Sequence, residues 1–177
     1  MKQKDAIPAG SEWVDKNIRS FSGNPFSCIW EDWMLITSGV SENWNTMTAS
    51  WGGFGVLWSR DVAFIFIRPT RHTYEFANTN DLFTLSFFEE SYRDALKICG
   101  EKSGRDIDKA SLTGLTPIVF KEGCVGFQEA REIIICKKLY AHNFDPLQFL
   151  DTSIEELYPI KDYHRMFIGE ILTLKVR

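Results

Sequence analysis

The chain has 177 residues, 44% of them apolar and 25% charged, which suits one folded domain with a sizeable core and excludes a disordered chain. A net charge of −4 argues against a general nucleic-acid-binding surface. Cys28, Cys99, Cys124 and Cys136 form no CxxC pair, and His72, His142 and His164 are scattered without ligand spacing, so zinc and a disulfide-stapled miniprotein are disfavoured.

In chain order, residues 1 to about 12 read as an arm, because Pro8, Gly10 and Ser11 discourage regular structure. Its start, Met1 to Asp5, leads into no apolar run of the secretory kind, and no apolar run is long enough to span a bilayer, so a reducing, cytoplasmic setting is the default expectation. The spacing predicts a short helix or irregular cover over Trp13 to Phe21, a turn over Ser22 to Pro25 and a strand over Ile29 to Thr37. A loop follows to Asn45, and Met47 to Trp58 reads as a strand broken or bulged by Gly52, Gly53 and Gly55. Val62 to Ile67 is apolar on both faces and is expected at the centre of a sheet. Thr70 is placed to cap a helix over Arg71 to Ala77, and Leu82 to Phe88 is a further strand. Ser91 to Asp94 fits a capping box, and Gly100 fits the end of the helix it opens.

Ser103 to Asp108 and Leu112 to Thr116 read as loops. Short strands are expected at Ile118 to Phe120 and Val125 to Gln128, and a longer one at Ile133 to Tyr140. Asp145-Pro146 opens a helix, Ser153 to Glu156 is a second capping box, and Met166 to Val176 alternates as a final strand. About six to eight strands with a few short helices describe a mainly β protein, a barrel with helical decoration. No glycine-rich dinucleotide fingerprint occurs.

Four stretches carry residues suited to chemistry. The first, Asn45-Thr46-Met47-Thr48-Ala49-Ser50-Trp51, combines small and hydroxyl-bearing residues with an aromatic face, as a wall along a planar ligand requires; a tight turn beside a buried tryptophan is the alternative. The second, Arg68-Pro69-Thr70-Arg71-His72-Thr73, lies at a strand exit and a helix start, where two arginines, two threonines and free amides suit a dianionic phosphate; ordinary strand-end charge is the alternative. The third, Lys102 to Lys109, also suits an anion, or is a solvated loop. The fourth is His164, at the entrance of the last strand, with a structural or a catalytic role open to it.

In order and spacing, these segments resemble the flavin reductase-like, FMN-binding split-barrel family, and its flavoredoxin-like branch in particular: Asn45 to Trp51, Arg68 to Thr73, Cys99-Gly100 with Ser103 to Lys109, and His164 with Phe167-Ile168-Gly169-Glu170. The similarity runs from about Trp33 to the C-terminus, leaving residues 1–25 as an arm and 26–177 as the domain. It implies a Greek-key split β-barrel that binds FMN as a homodimer, with the flavin near the interface. It also implies a flavoprotein oxidoreductase that passes electrons or hydride from a reduced donor through FMN to an acceptor. NAD(P)H is one candidate donor.

By the same resemblance, Asn45, Thr46, Met47, Thr48, Ala49, Ser50 and Trp51 run along the ring and ribityl chain. Arg68, Thr70, Arg71 and Thr73 hold the phosphate. Ser103, Gly104, Arg105, Asp106 and Lys109 complete the site from the same or the partner subunit, and His164 lies near the ring as the catalytic candidate. Many nicotinamide-dependent members carry Gly-Asp-His before the last strand; here the run is Asp162-Tyr163-His164, which puts direct use of nicotinamide in question. The alternatives are an FMN carrier or redox sensor without turnover, and a barrel for another phosphorylated planar ligand of the pyridoxal kind.

Overall fold

The computed structural model describes residues 2–177. After two short arm strands, β1 (Ile7–Pro8) and β2 (Val14–Lys16), the barrel strands follow as β3 (Met34–Val40), β4 (Asn43–Ala49), β5 (Gly52–Leu57) and β6 (Arg60–Ile67). Helix α1 (His72–Thr79) leads to β7 (Leu82–Phe87), and α2 (Arg93–Glu101) and α3 (Lys109–Thr113) lead to β8 (Pro117–Val119) and β9 (Val125–Phe127). Two long strands, β10 (Glu132–Asn143) and β11 (Arg165–Val176), close the chain. The main sheet runs β4-β3-β7-β10-β11-β6-β5, with β2 added to β11, and β1-β8-β9 form a separate small sheet. The fold is a split β-barrel decorated by short helices.

Alternation along β3 shows how the two cores arise. Met34 and Ile36 point into the barrel with Ile65, Leu85 and Phe167, whereas Leu35 faces a second apolar layer with Leu96, Phe127 and Ile135. Helix α2 covers that second layer, burying Ala95, Leu96 and Cys99. All four cysteines are buried as free thiols.

Several expectations change in the structure. Ile29 belongs to a helical turn, opened by the Asn24 side chain, which accepts from Phe26 N at 3.0 Å, so β3 starts only at Met34. Trp33 turns the chain there at φ 68°, with the Arg93 guanidinium 3.4 Å from its ring centroid. Trp13 to Phe21 is neither one helix nor plain cover: Val14–Lys16 pairs with Leu174 to Val176, and a 3-10 turn follows. Strand β6 is not central; it lies between β11 and β5, second from the sheet's end. Gly100 does not end α2, which continues to Glu101. Leu112 lies in α3, capped by Asp108, rather than in a loop.

The expected caps at Thr70, Ser91 and Ser153 are also replaced. Arg71 occupies the N-cap of α1 without a side-chain bond, Tyr92 does so for α2, and Asp151 accepts from Ser153 N. Leu172 breaks the expected alternation of the last strand and stands 45% exposed, at a register shift between β10 and β11.

Candidate functional site

The site is built on β4 and the break that follows it. Alternation sends Asn45, Met47 and Ala49 to one side, while Thr46 and Thr48 turn to the other. Thr46 hydrogen-bonds Thr37 at 2.9 Å, and Thr48 donates to the Leu96 carbonyl of α2. These two side chains therefore secure β4, and what they offer a ligand in the cleft is their backbone. Ser50 and Trp51 leave the strand and, with Met47, Phe66, Arg71 and His164, wall a cleft of about 160 Å³. Beyond Trp51 and Phe66 it meets a wider apolar chamber of about 530 Å³, bordered by Phe26, Trp30, Phe54 and Phe144.

His164 sits at the end that holds the Trp51 ring. Its ring is buried, 5.0 Å from the Trp51 ring, and its Nδ1 lies 2.7 Å from the Tyr158 hydroxyl. Burial, reinforced by the Arg68 charge, pushes its pKa down to about 4, so the imidazole is neutral at physiological pH. Burial also raises the Tyr158 phenol, which stays protonated. In the tautomer where that phenol donates to Nδ1, the ring proton is on Nε2. Tyr158 carries no motif in the sequence, and only the fold brings it to His164.

Arg68 and Thr70 share one partner. Arg68 bonds Asp162 at 2.8 Å and the Leu157 carbonyl at 2.8 Å, and lies over the Tyr158 ring at 4.8 Å. The Thr70 hydroxyl donates to the other oxygen of Asp162 at 3.2 Å. The acidic residue of the Asp162-Tyr163-His164 run thus ties β6 to the segment before β11.

The polar end lies between α1 and the loop before α3, and shares Met47 and Arg71 with the Trp51 end. Asn45 donates to the Thr73 hydroxyl at 2.7 Å, leaving the Thr73 proton to donate onward. Gly104 lies so close to Asn45 that a Cβ would stand 2.0 Å from its Oδ1; the loop therefore closes on the site of its own chain. Ser103 accepts from Arg105 N, and Arg105 reaches Glu75 and the Thr70 carbonyl, while Asp106 stays exposed. Arg71 bonds the Gly100 carbonyl at 2.7 Å.

Lys109 is the decisive group. It is 3% exposed, and its ammonium bonds the carbonyls of Thr46 and Cys99, each at 2.7 Å. No carboxylate of the described residues pairs with it, and burial pulls its pKa down to about 8. One end of the cleft thus carries the Trp51 and Phe66 rings and a neutral histidine, with Arg68 and Arg71 beside them, and the other is hydroxyl-lined and holds the buried Lys109. That donor set fits a planar ring joined to a phosphate, as in FMN.

The same fold occurs in solved structures. An FMN-binding protein from Thermus thermophilus with bound p-hydroxybenzaldehyde is 20% identical, with TM-score 0.66 over 90% of this chain and 82% of that one. Flavoredoxin of Desulfovibrio vulgaris (Miyazaki F) is 21% identical, with TM-score 0.64 over 89% and 75%. The NADH:FAD oxidoreductase SgcE6 of Streptomyces globisporus is 17% identical, with TM-score 0.61 over 81% and 74%. No curated protein matches the chain by sequence. The model of the flavin reductase like domain matches residues 26–177, and the chain belongs to that family.

Proposed function

We propose that the protein binds FMN and is a flavin-dependent oxidoreductase that passes electrons or hydride from a reduced donor to an acceptor. One observation carries this reading: a buried, carboxylate-free Lys109 closes the polar end of a cleft whose other end is walled by Trp51 and a neutral His164. FMN, when bound, supplies the reversible two-electron chemistry. The chain supplies the rest. Lys109, Arg71 and the Thr73 hydroxyl hold the phosphate, and the β4 backbone from Asn45 to Ala49 lies along the ribityl chain. Trp51 and Phe66 flank the ring and keep water from it. His164 holds a proton at Nε2, oriented by Tyr158, as a neutral donor beside the ring. The apolar chamber beyond Trp51 takes the reacting end of donor or acceptor. The working unit is a homodimer, a reading supported by the exposed apolar Val56 and Trp58 on the β5–β6 hairpin and the adjoining Tyr140.

Stopped-flow mixing of the FMN-loaded protein with NADH and NADPH tests the donor. Rapid bleaching is expected, with a rate flat between about pH 5.5 and 7.5, because His164 stays neutral down to about 4. Tyr158→Phe is expected to slow reduction about tenfold while FMN affinity stays within about twofold. Unchanged rates in both Tyr158→Phe and His164→Ala would remove His164 from the chemistry.

A second reading, an FMN carrier or redox sensor without nicotinamide turnover, is favoured by Asp162, which is committed to Arg68 and Thr70. Inertness toward both nicotinamides would select it.

A further inference from the structure

The matched family domain begins at residue 26, yet the arm before it reaches the polar end of the cleft. Gln3 is only 7% exposed. Its Nε2 donates to Asn45 Oδ1 at 3.4 Å and to the Ile107 carbonyl at 3.2 Å, and its Oε1 accepts from Lys109 N at 2.9 Å. Both ends of the amide are therefore used, which fixes its orientation. The arm is held in place beyond Gln3 as well. The Trp44 indole donates to the Lys4 carbonyl at 3.0 Å, Ala6 N donates to the Ser41 carbonyl at 2.9 Å, and Ile7–Pro8 pairs in parallel with Ile118–Val119.

These contacts converge on Asn45, Gly104 and Lys109, the groups at the polar end of the cleft. Asn45 can donate to Thr73 only while its Oδ1 faces the other way, and Gln3 supplies the donor on that side. The backbone of Gly104 packs against the same two amides: a Cβ there would meet Asn45 Oδ1 at 2.0 Å and Gln3 Nε2 at 2.8 Å. The bond to Lys109 N sets where the α3 backbone starts, and hence where the Lys109 side chain begins its run to Thr46 and Cys99.

We infer that the N-terminal arm, through Gln3, is a positioning element of the phosphate end of the site, and that it sets the preference for a phosphorylated flavin over an unphosphorylated one. Gln3 need not touch the ligand; it acts through Asn45, Gly104 and Lys109. The inference rests on the FMN reading, and its test separates the two.

In the full chain, FMN and riboflavin affinities are measured by quenching of flavin fluorescence for wild type, Gln3→Ala and Gln3→Glu. Gln3→Ala is expected to weaken FMN about tenfold and leave riboflavin within about twofold. Gln3→Glu keeps the shape but sets an oxygen against Asn45 Oδ1 and the Ile107 carbonyl; it is expected to weaken FMN about 30-fold, again sparing riboflavin. Where Gln3→Ala does not fold, the uncharged Gln3→Met, of similar length and without the amide, is decisive, with the same FMN-selective loss expected. A merely structural role for the arm would lower both affinities together. If wild type prefers FMN and folded variants keep the wild-type ratio, the role of the arm is overturned and the FMN reading stands. If wild type binds neither flavin, the FMN reading fails and takes this inference with it.

Discussion

Lys109→Met is expected to weaken FMN binding about 100-fold, to leave riboflavin binding within about twofold, and to hold the melting temperature of the flavin-free protein within a few degrees. The asymmetry follows from the surroundings of the ammonium. In the flavin-free protein it is a buried cation satisfied by two carbonyls, a costly arrangement that methionine of similar length relieves. With a phosphate beside it, the same cation gains a charge-assisted partner in a dry site, worth about 3 kcal/mol.

The pH dependence has a definite sign. The folded pKa of about 8 lies below the ordinary 10.5, so between these values the unfolded chain binds more protons than the folded one. Lys109 therefore adds stability to the flavin-free protein as pH rises from about 8 to 9, by about 1 kcal/mol, and above about pH 9 the four buried thiols, whose pKa values burial raises, act in the opposite direction. FMN affinity moves the other way. It is flat between about pH 7 and 8, where the phosphate is dianionic, and falls up to about tenfold per unit above that, because the lysine must regain its proton to hold the phosphate. Thermal melts of the flavin-free protein check the first statement, and titrations with FMN and riboflavin check the second, each at pH 7 and 9. Equal losses for the two flavins in Lys109→Met would show that Lys109 acts on the fold and not on a phosphate.

Asp162→Ala is expected to cost about 2 to 3 kcal/mol of stability, a fall in melting temperature of about 5 to 10 °C. Asp162 is 8% and Arg68 24% exposed at the side chain, so removing the carboxylate strands a mostly buried guanidinium. It also strips the Thr70 hydroxyl of its acceptor. The figure lies below that for a fully buried pair because Arg68 keeps the Leu157 carbonyl, the Tyr158 ring and some solvent. Asp162→Asn, which keeps the shape and an acceptor oxygen, is expected to lose about half as much. Thermal melts check the series. An Asp162→Ala protein as stable as wild type would show that this tie between β6 and the segment before β11 contributes nothing.

The sequence was most legible where local chemistry decides. Apolar runs located β6, β7 and β11, and Asp145-Pro146 marked its helical turn, with the Asp145 side chain accepting from Leu147 N. It was least legible where a distant partner decides. Thr70 looked like a helix cap, but its hydroxyl goes to Asp162, 92 positions along the chain. Trp33 looked like part of a strand, but Arg93 holds its ring where the backbone turns at φ 68°.

The site divides in the same way. The stretches Asn45 to Trp51, Arg68 to Thr73 and Ser103 to Lys109 do meet, because β4, α1 and the loop before α3 adjoin. Hidden in sequence were the division between Arg68, tied to Asp162, and Lys109, which has carbonyls only, and the roles of Tyr158 and Gln3. Burial and pairing are properties of the folded chain, so no local pattern reports them.

Titration of the purified protein with FMN and with riboflavin at pH 7 tests the central claim most directly. Binding of one FMN per chain, with riboflavin at least about tenfold weaker, is the predicted result. A chain that takes up neither flavin, or holds both equally well, would contradict it.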